Sequence, residues 1–119
     1  TSAGENESVP VTFGLEQNYP NPFNPTTKID FRLSAPGFTT LKVFDVLGKE
    51  VASMVNENLA AGSHFRTFDA SRLASGVYLY RLSVRTLDES PYGLVESHRP
   101  SGQSHGGTFI ETRRMLLIR

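Results

Sequence analysis

Cysteine and tryptophan are both absent from this 119-residue chain, and its 12 basic and 12 acidic residues cancel to a formal net charge of zero. Without cysteine there are no disulfides, no thiolate zinc ligands and no thiol nucleophile, while the compartment stays open. Without a basic surplus there is little to displace counterions from a nucleic acid, so nucleic acid is not an expected partner. No run approaches the roughly 18 apolar residues of a membrane span, and no basic-then-apolar signal segment opens the sequence. Helical periodicity is missing as well, and residues 69–74 support one helical turn at most. What remains, 38% apolar and 20% charged, is a composition that folds, at a length suited to one domain.

Residues 1–10 (TSAGENESVP) are polar and unpatterned, and read as a linker to an upstream domain. From residue 11 the chain breaks into short period-2 runs separated by turn formers, and residues 11–119 read as one β-sandwich domain. Candidate strands cover residues 11–15, 27–33, 40–46, 50–55, 62–69, 76–86 and 108–118. Ile29, Phe31 and Leu33 share one face of the second, against Lys28, Asp30 and Arg32. In the third, Leu41 and Val43 lie opposite Lys42 and Phe44. Leu47-Gly48-Lys49 makes a tight turn into residues 50–55, whose inward face is not clear from the pattern. The sixth run is the strongest, with Tyr78, Tyr80, Leu82 and Val84 on one side. The pattern predicts an all-β fold, a seven-stranded antiparallel β-sandwich, immunoglobulin-like in architecture. Residues 73–78 (LASGVY) also fit a tyrosine corner, in which the Tyr78 hydroxyl returns to the backbone of the preceding turn; Tyr78 as a plain core residue fits equally. Residues 87–108 break the rhythm. That stretch is 22 residues long, ten of them Gly, Ser or Pro, and reads as an inserted hairpin loop.

Catalytic constellations are weak. Gly102-Gln103-Ser104-His105-Gly106 has the letters of a nucleophile elbow but no helix to follow and no later histidine, so chance composition explains it. His64, His98 and His105 lack metal-ligand spacing: His64 reads as a structural strand residue, and the other two as solvated loop residues. Asp45 and Asp69 sit at strand ends, where carboxylates cap turns. Asn6-Glu7-Ser8 is a formal glycosylation sequon in the linker and carries no weight. No catalytic residue, cofactor or metal is expected.

The distinctive segment is Tyr19-Pro20-Asn21-Pro22-Phe23-Asn24-Pro25, preceded by Gln17-Asn18. Its prolines fix their own φ and bias the preceding residues toward extended backbone, while the asparagines support turns. The spacing favours a stiff strap, with Tyr19 and Phe23 as anchors, shielding a sheet edge, over a peptide-like surface presented to a receptor.

Residues 15–29 (LEQNYPNPFNPTTKI) resemble the opening of the type A C-terminal sorting domain of the type IX (Por) secretion system of Bacteroidetes and their relatives. The likeness continues through residues 43–51 (VFDVLGKEV), 61–64 (AGSH), 75–82 (SGVYLYRL) and the basic-apolar residues 113–119 (RRMLLIR). The chain departs from that pattern by its insertion after residue 86 and by Phe68 where members often carry tryptophan. The resemblance implies a non-catalytic domain at the C-terminus of a larger secreted protein, such as a glycoside hydrolase, peptidase or adhesin. It implies passage through the periplasm, recognition by the outer-membrane translocon, removal by a sortase-like peptidase, and a parent left at the cell surface or outside the cell. It also points to Gly76, Tyr78, Arg113, Arg114 and Arg119 as recognition residues. Gly76 and Tyr78 would act through folding; the arginines would pair with acidic groups on a receptor or merely solubilise an edge strand. Two other readings stay open: a carbohydrate-binding module using Phe38, Phe44 and Tyr92, and an immunoglobulin-like spacer.

Overall fold

The computed structural model describes residue 10, residues 12–86 and residues 107–119. Apart from Pro10, Gly107 and Thr108, the expected linker and the expected insertion lie outside the described residues. Seven strands are present among them: β1 (Gly14–Leu15), β2 (Thr26–Leu33), β3 (Gly37–Phe44), β4 (Glu50–Leu59), β5 (Gly62–Asp69), β6 (Gly76–Thr86) and β7 (Thr108–Leu117). All pairings are antiparallel, in two sheets ordered β1-β2-β5 and β4-β3-β6-β7. The fold is an all-β sandwich, and an immunoglobulin-like arrangement is compatible with it.

Alternation decides what is buried. Thr27, Ile29, Phe31 and Leu33 of β2 turn inward, as do Leu41 and Val43 of β3 and Tyr78, Tyr80, Leu82 and Val84 of β6. Met115 and Leu117 of β7, Phe68 of β5, Leu15 and Phe23 complete one continuous core between the sheets. Each such aliphatic or aromatic side chain contributes on the order of 1.5–3 kcal/mol by leaving water. A one-residue slip in any of these strands would turn its whole apolar set outward, so the core also sets the register.

Boundaries differ from the pattern where side chains intervene. β3 begins at Gly37 and stops at Phe44, because Asp45 closes the next turn: its carboxylate accepts the Leu47 and Lys49 N–H groups, both at 2.9 Å. Gly48 supplies the positive φ of 88° that this turn requires. β4 runs on to Leu59 and carries two β-bulges, with register shifts between Leu41 and Lys42 and between Val43 and Phe44 of its partner. Each bulge adds a residue and shifts the side-chain period, which is why the inward face of β4 is illegible in the sequence. β1 holds only two residues, Gly14 and Leu15, although its line continues beside β2 through Glu16 N to Asp30 O and through paired bonds between Tyr19 and Lys28. At the far end, Thr86 N donates to Gly107 O at 2.9 Å, so β6 and β7 stay paired up to the point where the insertion leaves.

The Tyr78 hydroxyl donates to Ala74 O at 2.7 Å, across the turn before β6, and its ring is buried. It is therefore a tyrosine corner and a core residue at once. Tyr78→Phe keeps the ring and deletes one hydrogen bond. Stability in chemical denaturation should fall by about 0.5–1.5 kcal/mol with an unchanged m-value. No loss at all would show that the corner contributes nothing to stability.

Candidate recognition surface

Strand β7 forms the rim of the four-stranded sheet, and an exposed rim of unpaired backbone groups invites pairing with another chain. Here the strap occupies it. Leu116 N donates to the Asn21 side chain at 2.9 Å, Phe23 N donates to Leu116 O at 2.9 Å, and Ile118 N donates to Phe23 O at 2.9 Å. Gln17 Nε2 adds a bond to Arg114 O at 2.7 Å. Arg114 O, Leu116 N and O, and Ile118 N are thus all consumed by residues 17–23. The three X-Pro bonds of the strap, Tyr19-Pro20, Asn21-Pro22 and Asn24-Pro25, are cis.

What holds the strap down is not what its aromatic residues suggest. Phe23 is buried and packs on Phe68 at 6.2 Å between ring centroids, but Tyr19 is 80% exposed. The backbone of Tyr19 pairs with Lys28 of β2, which turns its ring outward and the preceding Asn18 inward. Asn18, only 2% exposed, donates through Nδ2 to Pro20 O at 3.1 Å and to Thr27 Oγ1 at 3.0 Å, and Thr27 in turn donates to Pro20 O at 2.8 Å. The second anchor is Tyr80. Its hydroxyl accepts the Asn18 N–H at 2.7 Å and donates to Glu16 O at 2.7 Å, at the centre of the core. Burial pushes this phenol up to about 12, against the opposing pull of the Asn18 N–H. The sequence placed Tyr80 on the inward face without showing its task, and the available signal was a hydroxyl placed where only a buried partner could satisfy it.

The five residues singled out by the resemblance fall into different settings. Gly76 opens β6 opposite Leu117 with φ of 153°, so a side chain is strained there despite open space around it. Tyr78 forms the corner. Arg113 is half-buried; it donates through Nε to Leu15 O at 2.6 Å and pairs with Glu111 at 3.2 Å, while Glu111 accepts the Leu15 N–H at 3.1 Å. Arg119 folds back onto the turn before β6, donating to Ser71 O at 2.6 Å, Leu73 O at 2.8 Å and Ala70 O at 3.3 Å, while its own N–H reaches the Ser75 hydroxyl at 2.9 Å. Beside it, the Ser71 N–H and hydroxyl, with a smaller contribution from Arg119, hold the exposed Asp69 carboxyl below its usual value. Arg114 alone of the three arginines is outward and without an ion pair among the described residues. It borders a shallow hollow of about 270 Å³ with Asn21, Val77, Met115 and Leu116.

His64 stacks on Phe31 at 5.5 Å and bonds to Ala60 O at 2.8 Å, an intrachain use of its ring. Among the described residues no group of three or more His, Asp or Glu side chains could hold a metal ion. Phe38 and Phe44 do face outward from β3, but Arg85 and Arg81 lie over their rings at 5.8 and 4.9 Å, so neither offers a bare stacking face. Tyr92, His98, His105 and the residues 102–106 lie outside the described residues.

Tyr80→Phe should leave the buried Asn18 N–H without its acceptor, costing about 1–3 kcal/mol in denaturant. The strap amides should exchange with solvent faster than those of β2 and β3, read by hydrogen exchange. The folded phenol sits above its ordinary value of 10, so the neutral form stabilises the fold fully below pH 10 and that part is lost between pH 10 and about 12. The variant should show a smaller alkaline loss than the parent protein over that window.

A family model described as a secretion system C-terminal sorting domain matches residues 17–90, from the strap through the end of β6. The matched stretch contains both strap anchors, the Asp45 turn and the tyrosine corner, and it stops within the long segment that separates β6 from β7. No curated protein and no solved structure matches the chain. With more than half of its length matched, and with those elements assembled in one sandwich, the chain belongs to the family of secretion system C-terminal sorting domains.

Proposed function

We propose that this domain is the removable address of a larger secreted protein, such as a glycoside hydrolase or peptidase. It travels with its parent into the periplasm, is recognised there by the type IX outer-membrane translocon, and is cut off by a sortase-like peptidase within the polar residues 1–10 or just upstream of them. The observation that carries this reading is the sorting-domain match over residues 17–90. Family membership itself implies recognition by type IX machinery and delivery to the cell surface or beyond. The sandwich suits an address: its N-terminal strap is locked to its terminal strand, so the domain presents a fixed surface whatever precedes it. Among the described residues no helix is long and apolar enough to cross a membrane.

Arg114 is the arginine we assign to recognition. Its guanidinium is outward and presents a planar set of donors suited to a carboxylate on a receptor. Arg113 and Arg119 spend theirs on this chain's own carbonyls, so they support recognition by shaping the β7 end.

A periplasm-directed fluorescent protein carrying residues 1–119 at its C-terminus tests both statements in a type IX-competent host. The unmodified fusion should reach the surface. Arg114→Glu should lower delivery by about tenfold or more, as the loss of an arginine anchor does at interfaces. As a substitution on an exposed strand face, it should shift the melting temperature of the isolated chain by only a few degrees. Arg119→Ala should lower delivery only in step with its melting temperature. Periplasmic retention of the unmodified fusion would sink the sorting assignment, and full delivery of Arg114→Glu would sink the role of Arg114.

A further inference from the structure

The chain is neutral as a whole, yet its charges are not evenly spread. On the outer face of the β1-β2-β5 sheet each cation has an acid beside it: Lys28 pairs with Asp30 at 3.7 Å, and Arg32 pairs with Glu16. The outer face of the four-stranded sheet is different. Alternation sends Lys42 of β3, Arg81 and Arg85 of β6 and Arg114 of β7 outward, and among the described residues Glu50 is the one carboxylate that pairs with them, through Lys42 at 3.4 Å. Among the described residues Arg81, Arg85 and Arg114 make no ion pair. A cationic face on a neutral chain focuses anions there without making the whole surface adhesive.

The detail of this face selects among anions. Register places Lys42 directly opposite Arg81, about 5 Å away across the ladder, and Arg85 lies four residues along β6, about 13 Å further. Thr40 and Ser83 put hydroxyls in the row between Arg81 and Arg85, Thr112 lies beside Arg81 on β7, and a hollow of about 390 Å³ is lined by Thr40, Lys42, Phe44, Glu50, Arg81, Ser83 and Ile110. The Arg81 guanidinium lies over the Phe44 ring at 4.9 Å and donates through Nε to Thr112 Oγ1 at 3.3 Å, which leaves its terminal nitrogens without a protein partner among the described residues. Protein partners favour the reverse layout, with apolar anchors at the centre and charges at the rim. Here the centre holds the Lys42–Arg81 pair and two hydroxyls, with Phe44 beneath Arg81 and Ile110 on the β7 wall, while the exposed Leu116 lies further out on β7. Nucleic acid is disfavoured by the zero net charge of the chain, which leaves few cations to release counterions.

We infer that the outer face of the β4-β3-β6-β7 sheet binds a linear polysaccharide bearing carboxylate sugars, with Arg81 and Lys42 gripping one carboxylate in the hollow and Arg85 meeting another along the chain. Ring hydroxyls match Thr40 and Ser83 between the two charged contacts. The inference does not rest on the sorting function: the hollow does not include Arg114, the arginine assigned to recognition.

Affinity electrophoresis of the 119-residue chain through gels containing polygalacturonate, neutral dextran or no polymer provides the test, with a single-stranded oligonucleotide as a competing polyanion. Polygalacturonate alone should retard the protein, and retardation should weaken with added salt. Lys42→Gln with Arg81→Gln should weaken binding by about tenfold for each charge-assisted hydrogen bond removed. Lys28→Gln with Arg32→Gln removes the same net charge from the opposite face and should leave binding within about twofold, since exposed paired charges contribute little. Glu50→Gln frees Lys42 and should tighten binding severalfold, a gain that misfolding does not imitate. The inference is overturned by any one of four results: no retardation by polygalacturonate, equal retardation by dextran, equal weakening by the two double variants, or stronger binding to the oligonucleotide.

Discussion

The Tyr80 hydroxyl is the constraint on which the rest of this domain depends. A phenol wholly removed from water needs partners, and this one finds both on the strap rather than on a neighbouring strand: it accepts the N–H of Asn18 and donates to the carbonyl of Glu16. Because Tyr80 belongs to the four-stranded sheet and Asn18 bonds Thr27 of the other sheet, one short chain of hydrogen bonds joins both layers across the core. Apolar packing brings the layers together without direction. These bonds fix which residue of the strap sits where, and from that follow the outward turn of Tyr19, the burial of Phe23 and the arrival of Asn21 at the rim of β7. Two tyrosines on one strand and one face serve opposite ends: Tyr78 ties down the turn just before its own strand, and Tyr80 ties down a segment more than sixty residues away.

Two open sheets have four edges, and three of them here, on β7, β4 and β5, are guarded by different devices. The rim of β7 is covered by the strap from Arg114 to Ile118. The rim of β4 is broken by two bulges and carries Asn56, Glu57 and Asn58, a poor template for a partner strand. On β5, Arg66 donates to the adjacent Phe65 carbonyl at 2.8 Å and reaches Glu57 of β4 at 3.4 Å, using its charge to bridge the open side between the sheets. For a sorting domain this matters physically. A free edge would pair with the parent or with another copy, and the surface meant for the secretion machinery would be hidden.

Legibility in the sequence tracked the local character of each interaction. β2 and β6 were readable because strict alternation over eight or more residues reports burial directly. The Asp45 turn and the tyrosine corner were readable because both partners lie within four residues of each other. β4 was not, since two inserted residues shift its period and the pattern has no phase to detect. The strap was recognisable by its prolines, and of its two expected anchors Phe23 is buried but Tyr19 is not: ring size favours Tyr19, whereas the direction of each side chain is set by backbone pairing with Lys28 of β2, which places Asn18 inside. The internal ties of Arg113 and Arg119 were also hidden. Their backbone partners, Leu15 and the turn at Ala70–Leu73, are distant in sequence, and a carbonyl carries no charge for a reader to match; only the Glu111 partner of Arg113 lies close by.

That last point changes what a basic C-terminal block means. Arg113 bonds a backbone carbonyl with Nε while its terminal nitrogen pairs with Glu111, two directed contacts that only a planar, branched donor makes at once. Arg119 holds the carbonyls of Ala70, Ser71 and Leu73 from one terminal nitrogen, with its own N–H on Ser75, and so clasps the end of β7 to the turn that precedes β6. Lysine preserves the charge at either position but not this geometry. Composition alone would treat the three arginines as one cationic patch. Their donors instead divide the work: two are spent on making the terminal strand a rigid part of the sandwich, and the third, Arg114, is left outside. A receptor that read charge alone would meet the same surface on many secreted proteins. One that reads Arg114 at a fixed distance from the clasped end of β7 reads a position, and a position exists only once the domain has folded.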